Sequence, residues 1–146
     1  MMKRLFSLFA FIVVGALCAF AQESFPVVLE REMKSEILGT AKKYCIYLPA
    51  GYGDEGKEFP VLYLLHGLTD THTAWRDKGN VQAIATDIFE SGKAQEMVIV
   101  MPDAGTTFDG YFNVPGWRYE DFFFQEFIPH IEKEYRVIAD KGHRAI

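Results

Sequence analysis

An α/β fold with a mostly parallel central sheet and flanking helices is predicted by three features of this chain. Val61-Leu-Tyr-Leu-Leu65 is an apolar run without polar alternation that stops at His66-Gly67, and a run so short and so rich in Leu suits a strand buried on both faces. Met97-Val-Ile-Val-Met101 is a second such run, ended by Pro102. Between them Val81, Ile84, Ala85, Ile88 and Phe89 recur at helical spacing. Strand, helix, strand is the crossover unit of a parallel sheet. Ligands on open parallel sheets bind beyond the carboxyl ends of the strands, so function is expected at His66-Gly67-Leu68.

The remaining elements follow in chain order. Residues 1–21 are predicted to be a secretory leader: Lys3 and Arg4 form a basic start, Leu5 to Leu17 an apolar stretch, and Ala19-Phe20-Ala21 a small-x-small cleavage site. The apolar stretch is short for a membrane span and has no basic flank after it. A secreted or periplasmic protein, 22–146, without a stable membrane anchor is therefore expected. Ser24 to Leu29 and Glu32 to Leu38 read as two strands of a meander, and Gly39-Thr40 turns the chain into a third, Lys42 to Leu48. Its alternation of Tyr44, Ile46 and Leu48 with Lys43, Cys45 and Tyr47 predicts outer strands with one face buried more than the other. Pro49 to Gly56 is a loop.

Asn80 is placed to cap the first helix and Gly92 to stop it. Asp103 to Arg118 has three glycines, a proline and no periodicity, so a long loop is expected. Loops of this length in compact domains are usually functional or disordered, and Phe108, Tyr111, Phe112 and Trp117 argue against disorder. A second helix is predicted from about Tyr119 to Tyr135, bent or split by Pro129. Lys141 to Ile146 begins a further strand.

Charge excludes some classes. Loss of the leader takes the formal charge from −5 to −7 with no basic cluster remaining, so nucleic acid is not an expected partner. Cys45 would be the only cysteine left after Cys18 departs with the leader. It cannot form an internal disulfide and reads as a small strand residue. No His, Cys or carboxylate spacing in the sequence marks a metal site, and no cofactor is indicated.

Five segments resemble a known family: Tyr47-Leu-Pro-x-Gly-Tyr52, Phe59-Pro-Val-Leu-Tyr-Leu-Leu-His-Gly67, Trp75, Val100-Met-Pro-Asp103 and Phe127-Ile-Pro-His-Ile-Glu-x-x-Tyr135. In this order and spacing they resemble the putative-esterase family of α/β-hydrolases, which includes feruloyl and acetyl-xylan esterases, the esterase D type and the mycolyltransferases. The resemblance implies the α/β-hydrolase fold and acyl transfer by a Ser, acid and His triad, with the Ser in Gly-x-Ser-x-Gly on the turn after the fifth strand. No Gly-x-Ser-x-Gly occurs in these 146 residues, and His143-Arg-Ala-Ile146 resembles the approach to that turn. The expected chain is the amino-terminal half of a secreted carboxylic-ester hydrolase acting on acyl or feruloyl esters of carbohydrate, inactive without the rest. An acyltransferase of the mycolyltransferase type, or a non-catalytic carbohydrate binder on the same fold, are the alternatives.

The resemblance also implies half of an oxyanion hole. Its donor here is the backbone N–H of Leu68, with Gly67 allowing close approach. Trp75 is expected either to pack over the first helix or to line an acyl pocket, and Asp103 either to order its own loop or to reach substrate. The aromatic loop residues Tyr111, Phe112 and Trp117 can stack on a sugar or a phenolic acid, or pin the loop to the domain. His66 is expected to hold loop backbone at the strand end, and His72 either to touch ligand or to be solvated, with solvation favoured.

Overall fold

A computed structural model describes residues 25–146; the leader reading of residues 1–21 and the start of the strand placed at Ser24 lie outside the described residues. The main sheet has five strands in the order β1-β2-β4-β3-β7. β1 (Val27–Ser35) pairs antiparallel with β2 (Thr40–Leu48), and β2 pairs antiparallel with β4 (Val98–Pro102). β3 (Val61–Tyr63) lies parallel to β4 and to the short β7 (Arg144–Ala145). The crossover between β3 and β4 carries α1 (Ala74–Asp77) and α2 (Val81–Glu90). A parallel β3–β4 pair joined through a helix is the arrangement predicted from the two apolar runs.

The outer strands differ from their prediction. Ser24–Leu29 and Glu32–Leu38 are not two strands. A single strand runs from Val27 to Ser35 in unbroken register with β2. The charged Glu30, Arg31 and Glu32 that suggested a break lie on the sheet edge, where a charged side chain keeps its water. Nor is β2 an outer strand. It lies between β1 and β4, and Tyr44, Cys45, Ile46, Tyr47 and Leu48 are all buried, so both of its faces are covered from Tyr44 onward.

The two faces hold two apolar clusters, as side-chain alternation on a strand requires. Tyr44, Ile46 and Leu48 join Val61, Tyr63, Val98 and Val100 against the second helical layer. Cys45 and Tyr47 join Ile99 and Met101 against Val81 and Ala85 of α2. The second layer begins with α3 (Tyr119–Phe122), widens into a π-helical turn over Phe123–Phe127, and continues as α4 (Ile128–Glu134). Pro129 explains the widening: its ring collides with the carbonyl four residues back in a regular helix. The Ile128 N–H instead bonds the Phe123 carbonyl, five residues back. The split turns Phe122, Phe127 and Ile131 wholly inward, each contributing about 1.5 to 3 kcal/mol of transfer free energy. Glu126, in the same turn, accepts hydrogen bonds from the Ser35 hydroxyl and the Glu36 and Ile37 N–H groups, so the second helical layer caps the β1–β2 hairpin.

The 103–118 loop contains a two-stranded ribbon that the sequence did not reveal, β5 (Asn113–Val114) against β6 (Trp117–Arg118). Two-residue strands are too short to show a period.

Candidate active site

The corner after β3 is built by hydrogen bonds that leave the Leu68 N–H without a partner among the described residues. The Leu64 N–H still bonds the Val100 carbonyl at 2.8 Å, continuing the parallel ladder one residue past the strand. Trp75 Nε1–H then donates to the Leu65 carbonyl at 2.9 Å. At His66 the chain is held on every side. The Tyr111 hydroxyl accepts from the His66 N–H at 2.8 Å and donates to the His66 carbonyl at 3.2 Å. The ring Nδ1 lies 2.8 Å from the Gly67 carbonyl, so it carries the proton, and Nε2 accepts from the buried Ala104 N–H at 3.1 Å. His66 is thus the structural histidine the sequence predicted, with one tautomer fixed by its two backbone partners.

Gly67 to Asp70 closes a four-residue turn through Asp70 N–H to Gly67 O at 3.1 Å, with Thr69 at φ +70°. A non-glycine residue at positive φ in the third position of a turn costs strain that its surroundings must hold. Here the Gly67 carbonyl is gripped from two sides, by His66 Nδ1 and by Asp70 N. Leu68, second in the turn, points its side chain outward at 54% exposure, and its N–H has no hydrogen-bond partner among the described residues. A Cβ on Gly67 would meet only Asp70 Oδ2 at 3.9 Å. Glycine at this position therefore leaves open the approach to the Leu68 N–H rather than relieving crowding within the chain.

Trp75 packs within its own loop and also faces a cavity. It packs so closely on Gly79 that a Cβ there would fall 2.7 Å from the indole and 2.9 Å from the Trp75 carbonyl. It also lines a cavity of about 240 Å³ with Gly67, Asp70, Ala74, Lys78 and Gly79. Lys78 and Asp70 form an ion pair across that cavity's rim. A second cavity, about 180 Å³, lies beside Leu65 and is walled by Tyr111, Phe112, Tyr119, Phe123 and Phe124.

Asp103 orders its own loop. Its Oδ1 accepts from the Gly105 N–H at 2.9 Å, and Oδ2 lies 3.5 Å from Lys42 Nζ, which in turn sits 5.3 Å above the Trp117 ring. Trp117 and Tyr111 pin the long loop, the former by donating to the Gly110 carbonyl at 2.8 Å. Phe112, at 68% exposure, faces solvent at the mouth of the aromatic cavity. Burial pushes the Tyr111 phenol up to about 12, so at neutral pH it keeps the proton it donates to His66.

The model of the putative-esterase family matches residues 35–146. The chain belongs to this family. It is 35% identical over 120 residues to an endo-1,4-beta-xylanase/feruloyl esterase of Xylanibacter ruminicola, a match that covers 77% of this chain and 16% of that protein. It is 32% identical over 108 residues to esterase Rv1288 of Mycobacterium tuberculosis, covering 69% of this chain and 22% of the relative. Among solved structures, a ferulic acid esterase superposes with a TM-score of 0.79 at 43% identity, over 82% of this chain and 47% of its own. Ferulic acid esterase AmCE1/Fae1A from Anaeromyces mucronatus, in complex with ferulic acid, gives 0.68 at 29% identity, over 82% and 47%. The fold of this chain is the α/β-hydrolase fold, and the chain spans about a fifth of these curated relatives and about half of these solved ones.

The sequence placed Gly67 and Leu68 at one corner, and the structure sets Trp75 beside Gly67 there, with Asp103 reaching the same corner through the Ala104–His66 bond and through its Oδ1, 3.8 Å from His66 Nε2. It missed Tyr111 as the latch on His66, forty-five residues away in sequence. It also misread His72, which is not solvated. The loop carries it into the sheet, where its side chain is 9% exposed and its Nε2 lies 3.2 Å from Glu30 Oε1 on β1.

Proposed function

We propose that this chain forms the amino-terminal part of a carboxylic-ester hydrolase domain acting on esters of carbohydrate, feruloyl esters among them. Its share of the chemistry is one oxyanion donor and the walls of the acyl site. The observation that carries the reading is the Leu68 N–H, unpartnered among the described residues, on a turn whose Gly67 carbonyl is held by His66 Nδ1 and by the Asp70 N–H. An ester carbonyl gains negative charge on its oxygen as the tetrahedral intermediate forms, and a preorganised N–H aimed at that oxygen stabilises it by about 3 to 4 kcal/mol. The aromatic cavity beside Leu65 suits a flat phenolic acyl group, which stacks on Tyr and Phe rings. Export to the exterior or periplasm, where polysaccharide esters are met, is supported by the leader pattern of residues 1–21.

The test joins residues 22–146 to the remainder of the 43%-identical ferulic acid esterase and measures ferulate released from feruloylated xylan. Saturable release, with a cooperative melt confirming the fold, is the expected result. A folded hybrid that binds feruloylated xylan without turnover, or that hands the acyl group only to a sugar acceptor, would overturn the hydrolase reading.

A further inference from the structure

Glu30 and Cys45 are direct cross-strand partners in the β1–β2 ladder, and the loop after the Gly67–Asp70 turn lowers His72 onto them. One ligand atom from each of the three residues lies within 4.8 Å of the other two. A thiol, an imidazole and a carboxylate are the donor set of zinc-like ions. Metal–sulfur bonds of about 2.3 Å and metal–nitrogen bonds of about 2.0 Å put neighbouring ligand atoms of a tetrahedral ion roughly 3.3 to 3.7 Å apart. The His72–Glu30 distance already satisfies this at 3.2 Å, and the sulfur needs only a side-chain adjustment.

Two further observations point to a cation. Arg76 Nη1 lies 3.0 Å from Glu30 Oε2 and 3.7 Å from Cys45 Sγ, so a positively charged N–H group already sits between carboxylate and thiol. That guanidinium is not confined there: its Nε and Nη2 bond Asp77 at 2.7 and 3.2 Å, and a third of the side chain is exposed. It can withdraw onto Asp77 and leave the position to an ion. The second observation is His72 itself. Its side chain is nine-tenths buried, yet Nδ1 has no partner among the described residues, so the ring is held in the cluster through Nε2 and Glu30 alone.

We propose that Glu30, Cys45 and His72 form a site for one thiophilic divalent cation of the zinc class, its fourth position open to water. On binding, Cys45 releases its thiol proton to solvent as the sulfur–metal bond forms, the imidazole proton that Nε2 donates to Glu30 moves by way of solvent to the unpartnered Nδ1 so that the Nε2 lone pair meets the ion, the carboxylate binds as it is, and nothing is oxidised. The ion ties the β1–β2 hairpin to the loop that begins at Leu68.

The test uses the chain with Cys18→Ala, so that Cys45 is the single thiol, and Co²⁺ and Zn²⁺ as probes. One Co²⁺ per chain is expected, with a near-ultraviolet thiolate-to-cobalt charge-transfer band that an equivalent of Zn²⁺ abolishes. Glu30→Gln and Cys45→Ala each weaken Zn²⁺ binding by at least about tenfold. Lys43 Nζ also lies 3.7 Å from Glu30 Oε1, so Arg76→Ala removes only the guanidinium that lies between carboxylate and thiol, and it tightens binding, an outcome a merely structural ion-pair cluster does not give. Absence of the band, or the same Zn²⁺ affinity in Glu30→Gln as in the parent, overturns the proposal; Glu30 is exposed on an edge strand, so that variant stays informative even where Cys45→Ala fails to fold.

Discussion

The turn after β3 and the Glu30–Cys45–His72 corner lie at opposite ends of one short loop, and they are held in different ways. At the turn, His66 spends both ring nitrogens and both backbone groups on buried or backbone partners, and the Leu68 N–H has no partner among the described residues. At the other corner the partners are long charged side chains, Arg76 and Glu30, each about a third exposed, and a buried ring nitrogen of His72 has none among the described residues. The first arrangement fixes a geometry, as catalysis by a preorganised dipole requires. The second can exchange one cation for another. The difference shows that a single loop carries a rigid site and an adaptable one because hydrogen bonds to backbone set position while exposed ion pairs do not.

The largest effect expected is at the rigid site. In the esterase domain completed as in its solved relatives, Leu68→Pro, which deletes the N–H, lowers kcat by about 10²-fold to 10³-fold. Leu68→Ala leaves most activity, because the side chain points to solvent. Steady-state kinetics on methyl ferulate, with a melt to confirm folding, separates the two. Equal losses would move the role to the side chain and erase the contrast between the corners.

Next in size is His66→Ala. It strips the acceptor from the Ala104 N–H, on a residue only 1% exposed, and the donor from the Gly67 carbonyl. A buried donor left unpaired costs about 1 to 3 kcal/mol, and denaturant unfolding measures it. Tyr111→Phe removes two hydrogen bonds to the His66 backbone and keeps the ring, so about 1 to 2 kcal/mol is expected. If the long loop positions the oxyanion donor, this variant lowers kcat more than it raises KM. A change in KM alone would make Tyr111 a wall of the acyl cavity and nothing more.

The two corners also differ in how far the sequence revealed them. The rigid site was legible because its makings are contiguous: an apolar run, a His-Gly break and a tryptophan eight residues on. The parallel β3–β4 crossover was legible for the same reason, since each strand is an uninterrupted run. The β1 strand was not, because Glu30, Arg31 and Glu32 break its alternation, and only the edge position makes charge there tolerable. Burial of both β2 faces was hidden by Lys42 and Lys43, of which Lys42 is nevertheless 8% exposed and paired with Asp103. The Glu30–Cys45–His72 corner draws its members from β1, β2 and a loop. Nothing in the spacing of residues 30, 45 and 72 announces it until strand register places two of them side by side.

The smallest effect expected is also the one that tells the corners apart most directly. Glu30→Gln, in metal-free buffer at neutral pH, should cost less than about 1 kcal/mol, since the carboxylate is more than a third exposed and solvent screens its partners. Its hydrogen bond from Arg76, and then that from His72, hold the Glu30 carboxyl below its ordinary value of 4.5. A carboxyl whose folded pKa is depressed contributes stability fully above the unfolded value and loses it as pH falls through the folded one. The stability gap between parent and Glu30→Gln should therefore be flat above pH 4.5 and close below it. It should also shrink as salt is added at neutral pH, because ions screen an exposed pair. His66→Ala should keep its gap through the same salt series, because it rests on hydrogen bonds to buried backbone rather than on charge. Urea unfolding of the three proteins over pH and salt measures both trends. A Glu30→Gln gap that ignores salt and does not narrow as the carboxyl is protonated in the folded state would mean that Glu30 acts through packing, and that the corner is as fixed as the turn.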